Sequence, residues 1–429
     1  MAANPNTISA GIQEVWDTEY QLTHYKIPVY RAFADFTLTG KLKRGDTIHR
    51  EYITKKIANT MGADGSFIRQ ALTDTDESLT INKEQESSFY IKELDELQNN
   101  VPVRNKHARD CMAALFNQVD GDALSEIANA TSSVDDGDLG GTSGNGITVT
   151  TTNIRKIFTQ ALKKLKLQNV LLRSADRFEG VIKEDRIKRY GVAVISPNFS
   201  TTLLESLDGK DTVLGDTVGV NGHIGRYMGW ELFDSNALYW TSTLLVGTNP
   251  SNNDSVVING VTFTFKTTLG TTAGNVLIGA TAADSVDALV AAINDSENLS
   301  AANGGAGPST VGTDYVELTL ANRNLVKNLT ATDGTTEMTM TSKGPGYIVV
   351  SETLTAAADI WTLAKQIEHQ FFGINQSISV VIQKEPNMKV QPRSGFVGND
   401  VVTWTVYGLK TFNDQKPMLV DVQTRSDAY

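Results

Sequence analysis

Cysteine is almost absent. The single residue, Cys111, has no partner for an intramolecular disulfide and no second thiol for a metal or redox C-x-x-C motif. The five histidines, His24, His49, His107, His223 and His369, are scattered without metal-ligand spacing. No run of 18 apolar residues occurs, so no helical membrane span is expected. The opening residues lack the basic and apolar regions of a secretory signal, which makes folding in a cytoplasm the default expectation. G-x-S-x-G, H-E-x-x-H and the phosphate-loop pattern are all missing, so no catalytic residue, metal site or cofactor is assigned. Basic charge is also in deficit: the net charge of −11 excludes a uniformly basic coat for nucleic acid.

What is present describes a folded chain. Its 429 residues, 40% hydrophobic and 20% charged, suit two or three packed units. Residues 1–43 combine a candidate helix (Ile12, Val15, Trp16, Tyr20) with an aromatic extension through Tyr25, Tyr30, Phe33 and Phe36. That arm must lie on its own domain or on another subunit to cover its aromatics. From Leu42 to Leu97 two long, charged, β-leaning stretches flank Gly62 and Gly65, the pattern of a two-stranded projection with little apolar surface of its own. Arg44–Asp46 is an RGD tripeptide that a turn between strands explains.

Helical spacing runs through 95–130, and Gly-rich 132–146 is expected to be a mobile loop. Within it, Asp135–Gly141 is similar to a fragment of a calcium loop without the terminal Glu. A second helix is predicted over 152–167, capped by Thr152 or Asn153 and striped by Ile154, Ile157, Phe158, Ala161, Leu162 and Leu165. Its other face is basic, and the window 153–190 holds 11 Lys/Arg against 4 Asp/Glu. A solvated helix face or a surface turned to phosphate both fit, while sparse aromatics argue against stacking on single-stranded bases. Gly219, Gly222 and Gly225 mark a turn. Val192–Ile195 reads as a buried strand, followed by a turn at Pro197 and a helix from Ser200 or Thr201.

Composition shifts across 241–346, which has 13 charged residues and 19 Thr. Asn259–Gly260 predicts a type I′ hairpin, 283–293 a helix, and 315–320 and 337–341 strands. An inserted domain is the economical reading. Beyond it come a helix containing Ile360, Leu363, Ala364 and Ile367, then strands near 378–382, 401–407 and 418–422.

The order of these elements resembles the major capsid proteins of tailed double-stranded-DNA bacteriophages, with the Hong Kong 97-type fold. The resemblance rests on the "RGDTI" strand, the long extended loop, "IKELDELQNN…ARDCMAALFNQVDGDALSEI", the basic helix, "RYGVAVISPNFSTTLLES", "HIGRYMGWELFDSNAL" and the closing "GNDVVTWTVYGLKTFNDQKPMLVDVQ". It covers most of the chain outside 241–346. It implies an α+β chain with an arm and first strand (1–43), an extended loop (44–94), and a peripheral domain with a long spine helix (95–200). An axial domain (201–240 and 347–429, the latter with closing peripheral strands) carries a mainly β, Thr-rich insertion at 241–346.

By the same resemblance, copies assemble as pentamers and hexamers of an icosahedral shell around double-stranded DNA, in the virion and, during assembly, in host cytoplasm. Partners are other copies, a scaffolding protein, a portal and decoration proteins, with weak non-specific DNA contact and no membrane. The absence of a long charged extension before Trp16 implies a separate scaffold, and no self-crosslinking Lys–Asn pair is assigned. Candidate inter-subunit residues are Trp16, Tyr20, Tyr25, Tyr30, Phe67, Arg69, Phe89 and Tyr90; candidate lumen-facing cations are Arg155, Lys156, Lys163, Lys164 and Lys166. Competing readings are an encapsulin-like compartment shell, a Thr-rich surface or adhesin protein, and an enzyme without a recognisable motif.

Overall fold

The computed structural model describes residues 27–39, 45–53, 56–72, 74–98, 103–170, 190–207, 225–294, 310–311, 314–342, 348–357, 359–393 and 395–425. Two compact units emerge. One includes 84–116 and 384–406; the other includes 28–83, 117–383 and the chain from Tyr407 onward. The long strands Ile378–Pro392 and Gly398–Lys410 and the helix Val103–Ser125 run through both.

The larger unit is organised by strand Ile367–Ile374, whose eight residues are all buried. One side of this strand pairs antiparallel with Leu419–Arg425. Its other side is shared: Ile367–His369 pair with Tyr239–Thr241, and Phe371–Ile374 pair with Gly191–Val194. The sheet extends to Arg226–Tyr227 and Trp230–Asp234 at one end and to Glu337–Ser342 and Leu329–Asp333 at the other.

Alternation along Gly191–Ile195 sends Val192 and Val194 into one core and Ala193 and Ile195 into another. The second core takes the apolar stripe of helix Ile154–Leu167. Phe158 meets Phe372 at 5.3 Å and Phe199 at 5.8 Å, both edge-on. Neither Thr152 nor Asn153 caps that helix with a side-chain bond to its first turn. Instead the chain closes a box one turn earlier, in which Thr150 Oγ1 accepts from Asn153 N and Asn153 Oδ1 accepts from Thr150 N.

Helix Pro197–Leu207 starts three residues before the predicted Ser200, because Pro197 fits a first helical position and the Ser196 hydroxyl accepts from Phe199 N. The 95–130 stretch resolves into Glu93–Gln98, Val103–Ser125 and a short 3₁₀ turn at Glu126–Asn129. The predicted helix through Ile360–Ile367 is overturned: only Leu363–Lys365 makes a 3₁₀ turn, and Ile367 opens the central strand. The loop 132–146 is also ordered. Ser132–Val134 pairs parallel with Val420–Val422, and Val134 and Ile147 are buried at its two ends.

A six-stranded sheet is built from 255–258, 261–266, 275–277, 310–311, 315–316 and 350–352, under helix Ala282–Asn294. Its hairpin has φ of 49° at Asn259 and 81° at Gly260, as a type I′ turn requires. Residues 317–320 do not continue the strand Tyr315–Val316; Leu320 instead opens the helix Leu320–Val326, capped by Thr319.

The central strand is unusual in carrying Glu368, His369 and Gln370 inside a core. His369 Nδ1 is 2.9 Å from Asp421, and its Nε2 is 2.9 Å from Thr241 Oγ1. On the opposite face Gln370 donates to Glu368, Ser196 Oγ and Thr424 Oγ1, and accepts from Ser196 N. Burial pushes the Glu368 carboxyl up to about 7, despite hydrogen bonds from Ser196 and Gln370 and the nearby His369. A raised carboxyl stabilises the fold fully below its unfolded value of 4.5 and loses that contribution as pH rises through about 7. Glu368→Gln, which stays neutral, is therefore expected to match the wild type at pH 4 and exceed it at pH 8 by on the order of 3 kcal/mol. Denaturant midpoints across that range check this; parallel curves at both ends would refute it.

Candidate functional site

A two-stranded ribbon leaves the larger unit, with Thr47–Ile53 paired antiparallel to Asp74–Thr80. It ends at Thr80, shorter than the loop to residue 94 read from sequence, because Lys83–Lys92 joins the four-stranded sheet beside Gly398–Lys410. Its root is held tightly. Leu79 is buried with Leu38, Val381 and Phe412, Arg50 pairs with Asp414 at 2.6 Å, and Lys410 donates to Ser78 O. A Cβ on Gly408 would lie 2.6 Å from Thr80 O, so the root sits against bare backbone.

The tip is different. Gln70 and Ile57 bond each other across it, and a turn at 62–66 is closed by Asp64, whose carboxyl the Ser66 hydroxyl and amide hold low. Ile53, Ile57, Met61, Phe67, Ile68 and Leu72 are all exposed, Leu72 by 86%. The expectation of little apolar surface holds for the ribbon strands and fails at this tip. Phe67 and Arg69 belong to it, with the Arg69 guanidinium 5.7 Å from the Phe67 ring. The other five apolar residues were missed because they follow no helix or strand period; their signal was apolar side chains in a Gly- and Asp-rich turn context.

The remaining candidates separate. Trp16, Tyr20 and Tyr25 lie outside the described residues. Tyr30 is fully buried in its own chain, in the same core as the tilted Phe33–Phe371 pair at 4.2 Å, so it has no surface left for a neighbour. In the smaller unit, Phe89 turns inward against His107 and Tyr90 turns outward, donating to Val397 O beneath Arg393. Arg393 also covers Phe396, which is exposed together with Val397, a patch that sequence reasoning passed over.

All five candidate cations lie on helix Ile154–Leu167. Arg155, Lys156, Lys163 and Lys166 are exposed, and Lys164 is half-buried in an ion pair with Asp138 at 2.9 Å. The rest of the basic window, 171–189, lies outside the described residues.

No protein-family model matches the chain, and no curated protein matches it. Solved structures do. A structure from Mycobacterium phage Che8 superposes with a TM-score of 0.55 at 13% identity, covering 98% of both chains. The capsid of cyanophage P-SCSP1u gives 0.51 at 11%, over 98% of this chain and 95% of the other. The mature capsid of bacteriophage PhiM1 gives 0.51 at 9%, over 100% and 96%. The chain has a phage-capsid fold.

Within this capsid fold no three His, Cys, Asp or Glu side chains come together to hold a metal among the described residues. The Asp135–Gly141 segment is a capped turn. Burial alone would raise the Asp135 carboxyl, but bonds from Gly144, Ser143 and Asp138 outweigh it and hold it low. Asp136 accepts from Thr142 N, so this segment uses its carboxylates to close its own backbone.

Two further carboxylates anchor the capsid fold near the ribbon. Asp120 Oδ1 accepts from both Val29 N and Tyr30 N at 2.8 Å. One turn-half later, Asp122 takes the Lys83 ammonium and the Tyr407 hydroxyl on a single oxygen, each at 2.7 Å. Burial and the Asp122 charge push the Tyr407 phenol far above its usual range, so it stays a donor. Asp122→Ala leaves a buried hydroxyl unpaired and a part-exposed lysine without its partner and is expected to cost about 1–3 kcal/mol, whereas Tyr407→Phe costs about 1 kcal/mol. Chemical denaturation measures both; an Asp122→Ala loss under about 0.5 kcal/mol would remove the anchor.

Proposed function

We propose that this chain is the major capsid protein of a tailed double-stranded-DNA phage, with a Hong Kong 97-type fold and a structural, non-enzymatic role. Pentamers and hexamers of it form an icosahedral shell enclosing DNA, built with a scaffolding protein and joined by a portal and decoration proteins. The observation that carries this reading is the match to phage capsid structures across nearly the full length of both chains. The ribbon supports it physically. A tip with six exposed apolar side chains on a firmly rooted base is a costly surface for a lone chain and a useful one for a chain covered by its neighbours.

We also propose that 241–346 is an insertion carried by this fold on the outer face of the shell. Its support is the shift in composition and a six-stranded sheet drawn mostly from that span; Leu329–Asp333 and Glu337–Ser342 of the same span extend the larger sheet, and the two sheets share one core. Among the described candidate inter-subunit residues, Phe67 and Arg69 on the tip and Tyr90 in the smaller unit are exposed.

The double variant Phe67→Ser, Ile68→Ser tests the ribbon's part. Both side chains are exposed, so chain stability should stay within about 0.5 kcal/mol of wild type. Expressed with the phage's other head genes, the wild type should yield closed shells by electron microscopy, and the variant free chains or capsomers. Normal shells from the variant would take the tip out of assembly.

A further inference from the structure

Helix Ile154–Leu167 carries five cations and no acidic residue. At 3.6 residues per turn, Arg155, Lys166, Thr159, Lys163 and Lys156 fall within an arc of about 100°. The opposite side is locked by Ile154, Ile157, Phe158, Ala161 and Leu165 in the core, so the arc cannot rotate away from solvent.

Two of the five cations are engaged locally. Lys164 pairs with Asp138, and Lys156 Nζ donates to Leu139 O at 3.0 Å, which together hold the 136–139 turn beside the helix. Arg155, Lys163 and Lys166 are exposed, and none of them has a carboxylate within ion-pair distance among the described residues. They line up over about 16 Å of helix axis, at 1.5 Å per residue. In a chain of net charge −11, three such cations on a rigid rod are a local exception.

We infer that this stripe binds the phosphodiester backbone of duplex DNA, without sequence preference. Duplex DNA carries about one charge per 1.7 Å of axis with both strands counted, so a 16 Å length holds roughly ten phosphates, of which a stripe on one side meets a part. The stripe offers charge and little else: its Thr159 hydroxyl is taken by Lys156 O, and Tyr227, the aromatic that senses the Arg155 charge, is turned edge-on to Phe158 at 4.9 Å. Base stacking is therefore not available to it, whereas backbone contact requires only charge. An acidic protein segment fits less well, since a protein partner gains most of its affinity from buried apolar and aromatic anchors that this arc lacks. This inference rests on the capsid reading. Repeated once per copy, a contact this weak sums over many chains while each one stays reversible.

The test uses the purified full-length chain and a fluorescent 30-base-pair duplex, read by anisotropy from about 50 to 200 mM salt. The triple variant Arg155→Ala, Lys163→Ala, Lys166→Ala is compared with Lys56→Ala, Lys92→Ala, Lys389→Ala, three exposed lysines elsewhere whose loss changes net charge equally. The helix variant should lose at least about tenfold in affinity at the lower salt, and its salt slope should fall by about 2 to 3. The control should stay within about twofold of wild type. Equal weakening of both variants, or no effect of the helix variant, would overturn the inference. Displacement of wild-type chain by polyglutamate more readily than by unlabelled duplex would overturn it in favour of an acidic protein partner. Shell formation is scored separately, on co-expression with the other head genes: loss of duplex binding with normal shells overturns this inference alone, whereas absence of shells from the wild type overturns the capsid reading on which it rests.

Discussion

Strand Ile367–Ile374 must satisfy three neighbouring strands and two cores at once, and the larger unit is arranged around that requirement. Apolar side chains alone would leave its register loosely defined, since a buried strand can slide by two residues and still present the same faces. Here the polar side chains at 369 and 370 each have partners on a different strand or helix start: Thr424 and Ser196 for Gln370, Asp421 and Thr241 for His369. A slip by two residues would leave buried donors and acceptors unmatched, at about 1–3 kcal/mol each. Register is thus set by hydrogen bonds and stability by the surrounding apolar residues.

The same division explains what was legible in the sequence. Helix Ile154–Leu167 and the Asn259–Gly260 hairpin were plain because local chemistry alone dictates them: a stripe of period 3.6, and two residues that accept positive φ. The central strand was hidden. Buried on both faces, it has no alternation to detect, and its Glu-His-Gln run looks like surface until the partners from 196, 241, 421 and 424 are known. The 132–146 segment was misread for a related reason, since a Gly-rich polar run resembles a free loop unless Asp135 and Asp136 are seen gathering its amides.

Of the aromatic and cationic residues that the sequence offers for contact with a neighbour, the structure leaves Phe67 and Arg69 exposed and buries Tyr30. An aromatic residue near the chain start gives no sign of whether its own core or a neighbour covers it. The two amide bonds to Asp120, ninety positions away, decide the matter for Tyr30. The basic helix was legible as charge, yet only the structure separates the lysines that hold the 136–139 turn from the cations that face outward.

Gly408 gives the ribbon a mechanical character. Each ribbon strand is seven residues long, about 24 Å at 3.4 Å per residue. Its root is clamped where Thr80 O meets the bare backbone of residue 408. A lever of that length converts a root tilt of about ten degrees into about 4 Å of travel at the tip. The closeness of one carbonyl to one glycine, with the Leu79 cluster and the Arg50–Asp414 and Lys410–Ser78 contacts, therefore sets the direction of a ribbon whose six exposed apolar side chains lie far from it.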